Sequence, residues 1–348
     1  MIFLYVLHLC TSGLDLKESI EAELRGSGLG GDVFGDLTSK MAGYLVNSRS
    51  DNTNIKYMSY YNKWKLFITS KGAPAIPASP IHVALYLTEL IDKRTSSSVI
   101  SATLYSIKWA HGLKNLPDPT TNTFVTNLLE SAKRTLTKPT VRKEPILSES
   151  LITLCNKYSD STDVYILRDM CMIVLAFNGF LRFDELIHLH CNDVKFNDDY
   201  FTICIRGSKT DQYRRGDKID IAMGTTAACP YAMLQRYFSA ANLSSLDNCF
   251  LFRPINRSKS QCKLISKNKP LSYTRTRECL LTRLREVVGD ANIGLHSLRA
   301  GGATCAANAG VNDRCWKRHG RWKSENSKDR YVCDSLERRL EVSKSLAL

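Results

Sequence analysis

The sequence predicts a mainly α-helical chain with one small antiparallel β-sheet, an α+β fold in two domains. Three observations carry that expectation. Apolar residues recur at helical spacing through most of the chain. Two short alternating segments, 200–206 and 218–222, flank a polar turn as a hairpin would. The 348 residues, 43% apolar and 24% charged, are enough for two soluble cores.

Taken in order, the opening MIFLYVLHLC is apolar, but it lacks a basic leader and is too short to span a bilayer. Neither a secretory signal nor a membrane partner is expected. Gly26, Gly28 and Gly31 match GxGxxG, yet a polar, acidic stretch precedes them where a nucleotide-binding fold needs an apolar strand. Residues 1–50 therefore read as a flexible extension. From Asn54, the residues Tyr57, Tyr60, Tyr61, Trp64, Phe67 and Ile68 keep helical spacing, with Lys56, Lys63, Lys65 and Lys71 among them. Ser79 and Pro80 start a second helix through Leu90, and Ser96 to Ser98 start a third that ends near Gly112. Residues 51–132 are thus a small helical bundle with basic flanks.

In residues 133–147, Lys133, Arg134, Lys138, Arg142 and Lys143 precede the first acid, Glu144, while Pro139 and Pro145 block helix. An extended basic linker is expected there. The second domain, 148–348, shows helical patterns at 151–155 and 168–189, then the hairpin with its basic tip SKTDQYRRGD. A helix from Ser272 to Val288 follows, and the remainder reads as helices broken at Gly301, Gly302, Gly310 and Gly320.

Lys plus Arg number 48 against 34 Asp plus Glu, and the net charge of +14 suits a polyanionic partner. The 12 cysteines are scattered singly with no CxxC pair, as free thiols of a reducing compartment would be. His188, His190 and Cys191 lack a second ligand group at finger-like spacing, so no metal is expected. The absence of a GxSxG elbow argues against a serine hydrolase.

Cutting a phosphodiester without metal requires cations for the developing charge, a nucleophile and an acid for the leaving oxygen. The second domain offers all three. Arg182 lies in GFLRFDEL with Glu185 three residues on, so that on one helix the carboxylate can steady the guanidinium. His296 and Arg299 in GLHSLRAGGAT share a face at a helix start, and Gly301 and Gly302 permit close backbone approach. In GRWKSENSKDRYV, Trp322 precedes Tyr331 by nine residues (331 − 322 = 9). Each pattern alone is commonplace.

As an ordered set, Arg182, Lys209, His296, Arg299, Trp322 and Tyr331 resemble the catalytic residues of the tyrosine recombinases, the phage integrase family. The phrases SKTDQYRRG, HSLRAGGAT and GRWKS are most similar to Xer-like and Crypton-type eukaryotic recombinases. The resemblance runs from about Ser148 to the C-terminus, and the 51–132 bundle is similar to the family's SAM-like core-binding domain.

That resemblance implies a two-domain DNA breaking-rejoining enzyme for site-specific recombination or integration, working through a 3′-phosphotyrosyl intermediate with no metal, ATP or other cofactor. Arg182 and Arg299 would clamp the scissile phosphate, each by bidentate charge-assisted contacts. His296 would donate to the same phosphate and accept the tyrosine proton, and Lys209 would protonate the leaving 5′ oxygen. Tyr331 would be the nucleophile. Trp322 stands where the family carries His or Trp; an indole donates one hydrogen bond but cannot act as a base. Lys56, Lys63, Lys133, Arg134, Lys138, Arg142 and Lys143 are expected on the backbone of double-stranded DNA. The helix-like terminus, with Leu336, Leu340 and Val342 on one stripe, is similar to the helix these enzymes dock into a neighbouring subunit, which implies a homo-oligomer, a tetramer, on DNA. The implied setting is a mobile element acting in the nucleus. Two alternatives use the same residues: type IB topoisomerase-like relaxation, and a catalytically silent, domesticated DNA-binding protein.

Overall fold

The computed structural model describes residues 14, 16–28, 34–139, 141–207, 216–257 and 262–346. The chain divides into two compact units, Met1–Thr140 and Val141–Leu348. Its described residues are mainly helical, with small antiparallel sheets in the second unit.

Among its described residues, the first unit holds six α-helices: α1 (Leu16–Gly26), α2 (Leu37–Asn47), α3 (Asp51–Thr69), α4 (Pro80–Asp92), α5 (Ser97–Leu113) and α6 (Thr123–Leu136). Its core gathers Met58, Tyr61, Trp64, Val83, Leu87, Ile100 and Ile107, and the Trp64 indole donates to the Ala75 carbonyl at 3.1 Å. The expectation of a flexible extension over residues 1–50 is corrected for the residues described there, 14, 16–28 and 34–50. Leu14, Leu16, Ile20, Ala42 and Val46 are buried in that same core. Leu16, Ile20 and Leu24 form an i, i+4, i+8 stripe whose apolar side was masked by the acids between them.

The expected linker is corrected at both ends. Helix α6 runs on to Leu136, so Lys133 and Arg134 occupy its last turn, where the helix dipole favours cations. Residues 142–147 are neither helix nor strand, and they are tied down within the second unit. The Glu144 amide donates to the Asn292 carbonyl at 2.9 Å, the Ile146 amide donates to Ser297 at 3.0 Å, and Ile146 is buried.

In the second unit, α7 (Ser148–Lys157) precedes α8 (Val164–Asn178), whose residues 170–176 are all buried apolar side chains. Such a helix forms the centre of a core rather than one wall. The pattern at 168–189 is not one helix: α8 stops at Asn178, and α9 (Phe183–Ile187) starts afresh. Strands β1 (Val194–Phe196), β2 (Tyr200–Ile205) and β3 (Asp217–Ala222) make an antiparallel sheet in that order. Its register pairs Phe201 with Ile221 and Ile203 with Ile219, and puts those four on the core face. Helix α10 (Pro230–Ala240) packs on α8, and a further hairpin, β4 (Ile255–Arg257) and β5 (Cys262–Leu264), lies beyond the one sheet expected. Then come α11 (Tyr273–Val288), α12 (His296–Asn308), α13 (Asp313–His319), α14 (Glu325–Asp329) and α15 (Leu336–Ser345). Helix α12 packs across α8, which brings Arg299 towards the turn that carries Arg182.

Candidate active site

The site is assembled around the break between α8 and α9. Gly179 ends α8, and Phe180 takes a positive φ of 45°, a conformation uncommon for a bulky residue. Arg182 is consequently the N-cap of α9 rather than a residue within a helix, as the sequence pattern suggested. Its pairing with Glu185 survives by a different geometry. One carboxylate oxygen accepts from Arg182 Nη1 at 2.6 Å, and the other accepts from the Arg182 backbone amide at 2.9 Å.

Arg299 arrives on α12 and is fully buried. Gly301 and Gly302 allow this: a Cβ at either would overlap the Ile146 or Phe177 carbonyl. Arg299 donates through Nη1 to the Phe180 carbonyl and through Nη2 to the Gly320 carbonyl at 2.6 Å. Its guanidinium lies 4.4 Å from the Trp322 ring and 5.1 Å from the Tyr331 ring, both within cation–π range. Burial, and then the guanidinia of Arg182 and Arg321, push Arg299 down to about 9. It stays charged at neutral pH.

Trp322 is buried, and its indole fills the space that a Cβ at Gly320 would need. Edge contact with Trp316 at 5.7 Å fixes the ring from the other side. Tyr331 is half-buried, with its ring 5.4 Å from that of Trp322. Side chains of α12 staple the segment after it. Thr304 Oγ1 donates to the Tyr331 carbonyl at 3.3 Å and accepts from the Cys333 amide at 3.1 Å, while Asn308 bonds the Cys333 carbonyl and the Ser335 amide, each at 3.2 Å. Lys328, buried three residues before Tyr331, pairs with Asp313 and Glu325 and lies over the Trp316 ring at 4.6 Å.

Arg182, Glu185, Arg299, Trp322 and Tyr331 thus come together from four stretches of chain. His296 opens α12 and is exposed. Lys209 lies outside the described residues. Lys56 and Lys63 on α3, Lys133 and Arg134 on α6, and Lys138, Arg142 and Lys143 are all exposed. Lys133 is engaged by Glu130 at 2.6 Å, and Lys143 donates to the Asn292 side chain.

Arg321 was missed, although it stands in GRWKS directly before the indole. With a positive φ of 58°, it donates through Nη1 to the Gly179 and His319 carbonyls at 3.2 and 2.8 Å, and through Nη2 to the Phe180 carbonyl at 3.1 Å and to Glu185 at 2.8 Å. Burial alone would raise the Glu185 carboxyl, but Arg321 and Arg182 hold it below its ordinary value, so it is ionised. The buried Nε of Arg299, Nε of Arg321 and indole Nε1 of Trp322 have no acceptor among the described residues. Of these, the Arg299 and Trp322 donors lie beside the Tyr331 ring, and with Arg182 they suit a tetrahedral anion beside a phenol. Among the described residues, no group of three or more His, Cys, Asp or Glu could hold a metal ion.

Comparison with known proteins agrees with this chemistry. Residues 147–338, more than half of the chain, match the profile of the phage integrase family. A curated relative, the integrase/recombinase xerD homolog of Selenomonas ruminantium, is 28% identical over 300 residues, which is 85% of each chain. In fold, the chain is similar to the XerH site-specific recombinase bound to palindromic difH substrate in a post-cleavage complex, with a TM-score of 0.56 and 19% identity over 85% of this chain and 79% of that one. It is also similar to the Tn1549 transposon integrase in complex with transposon right end DNA, with a TM-score of 0.56 and 15% identity over 96% of this chain and 99% of that one.

Proposed function

The chain belongs to the phage integrase family, and we propose that, as a tyrosine recombinase, it cuts and rejoins double-stranded DNA at specific sites through a 3′-phosphotyrosyl link to Tyr331. The observation that carries the assignment of residues is the convergence of Arg299, Trp322 and Tyr331 within 5.4 Å of one another, beside the Glu185-capped Arg182.

The Tyr331 hydroxyl attacks phosphorus, its proton passing to His296. Arg182 and Arg299 hold the non-bridging oxygens, and Trp322 donates its spare N–H to one of them. Buried donors aimed at developing charge are worth about 10²- to 10³-fold each in rate. Lys209 protonates the departing 5′ oxygen, so the bond energy is kept in the phosphotyrosine and religation draws on neither ATP nor metal. The exposed Lys56, Lys63, Lys133, Arg134, Lys138, Arg142 and Lys143 neutralise duplex phosphates, an interaction that weakens steeply with salt.

Strand exchange needs several copies, and the working form is a homo-tetramer on DNA. Helix α15 supports this: none of its residues is buried, and Leu336, Leu340 and Val342 are exposed. An open cavity of about 330 Å³ in the second unit, lined by Phe177, Phe180, Ala306, Val311 and Trp316 with Asn178 and His319 among them, is of a size to receive such side chains from a neighbour. The enzyme acts on nuclear DNA, as part of a mobile element. Isolating DNA that stays attached to the denatured protein tests the function: adducts from wild type and none from Tyr331→Phe are expected.

A further inference from the structure

We propose that Arg321 is a positioning residue for cleavage: by taking up the charge of Glu185, it leaves Arg182 and Arg299 with two uncompensated positive charges for the phosphate. This deepens the recombinase assignment and rests on it.

The geometry divides one carboxylate between two guanidinia. Glu185 Oε1 accepts from Arg182 Nη1, and Oε2 accepts from Arg321 Nη2 at 2.8 Å as well as from the Arg182 amide. Arg321 is itself held by three backbone carbonyls, and one of them, that of Phe180, also accepts from Arg299. With only 4% of its side chain exposed, it is walled in by its own partners and acts through them rather than on DNA. Its left-handed backbone, unfavourable for a residue with a Cβ, is the kind of strain that persists where the surroundings demand it.

Charge counting shows what this does. Arg182, Arg299 and Arg321 less Glu185 give three positive charges minus one, a net +2. When the tyrosine oxygen bonds to phosphorus and its proton leaves, the phosphodiester passes through a phosphorane carrying two negative charges. The P–O5′ bond then breaks as O5′ takes a proton. A buried +2 opposite a forming −2 is the preorganised complement that stabilises a transition state. Without Arg321 the balance falls to +1, and Oε2 is left to compensate Arg182 alone.

The test uses full-length protein and a short duplex spanning the site where wild-type adducts map in cellular DNA. The scissile group is either the ordinary phosphate or a methylphosphonate, whose phosphorane carries one negative charge instead of two. Arg321→Met is expected to lower the rate of adduct formation about 10²-fold on phosphate and less than about 10-fold on methylphosphonate. Arg321→Lys keeps the charge and should stay within about 10-fold of wild type on both. Arg321→Gln keeps a donor for Glu185 without the charge, and is read in place of Arg321→Met if the latter does not fold. Equal losses on the two substrates would show a merely structural role and overturn the inference, as would a neutral variant as fast as wild type. A wild type that forms no adduct anywhere would overturn the recombinase assignment and the inference with it.

Discussion

At Arg299, function and stability pull in opposite directions. Its guanidinium has two backbone carbonyls and no carboxylate of its own, and its folded-state value of about 9 lies below the ordinary 12.5. The unfolded chain therefore binds that proton more tightly. The charged side chain draws on stability at neutral pH, and the cost fades only as pH rises from about 9 towards 12.5. Arg299→Met should leave the thermal midpoint unchanged or raised, while adduct formation falls by about 10²-fold or more. Glu185→Ala should do the reverse to the fold, costing about 3–5 kcal/mol in denaturant titration, because three guanidinia would lose their one counter-charge. The candidate residues were legible as a set because their order and the phrases around them resemble those of the tyrosine recombinases. Arg321 was not, since an arginine beside a tryptophan looks like any surface cation. Its carboxylate partner Glu185 and the Gly179 and Phe180 carbonyls that hold it are all over 130 residues away in the chain.

Among the elements, α12 bears the most. Its glycine pair lets the helix touch α8 closely enough for Arg299 to reach the Phe180 carbonyl, so Gly302→Ala must push α12 away from the Phe177 carbonyl and the Phe180 ring. We expect a loss of about 1–3 kcal/mol in stability, and a rate loss of about 10²-fold for each ångström that Arg299 is displaced. A mutant as active as wild type would show that the close approach is dispensable. In the first bundle, α3 was legible from aromatic periodicity and α4 and α5 from their serine and proline starts, whereas α6 was not read as a helix. The helices before α3 and the pinned end of the linker were not legible, because acids interrupt one pattern and the other depends on backbone bonds to Asn292 and Ser297. In that bundle, His111 is neutral by construction: Nε2 accepts from the Ala78 amide at 2.9 Å, Nδ1 donates to the Ile107 carbonyl at 2.8 Å, and burial lowers its pKa. The unfolded chain takes up that proton first, so stability present above pH 6.5 is lost as pH falls below it. Thermal midpoints measured from pH 7.5 to 5.5 should fall in wild type and fall less in His111→Gln.

For the whole molecule, the proposed assembly and the proposed chemistry are expected to be separable. Truncation after Asp334 removes α15, which buries nothing in its own chain. It should leave the thermal midpoint unchanged, while sedimentation on DNA is expected to show one or two copies of the truncated chain and four of wild type. A lowered midpoint would mean that the helix packs within its own subunit. The measurement that bears most directly on the account is the recovery of DNA that remains bound to protein after full denaturation, from cells expressing wild type or Tyr331→Phe. The account predicts adducts from wild type alone, joined through Tyr331 to 3′ phosphates at recurrent sites. Reversible DNA binding by both proteins, with no adduct above the Tyr331→Phe background, would contradict it.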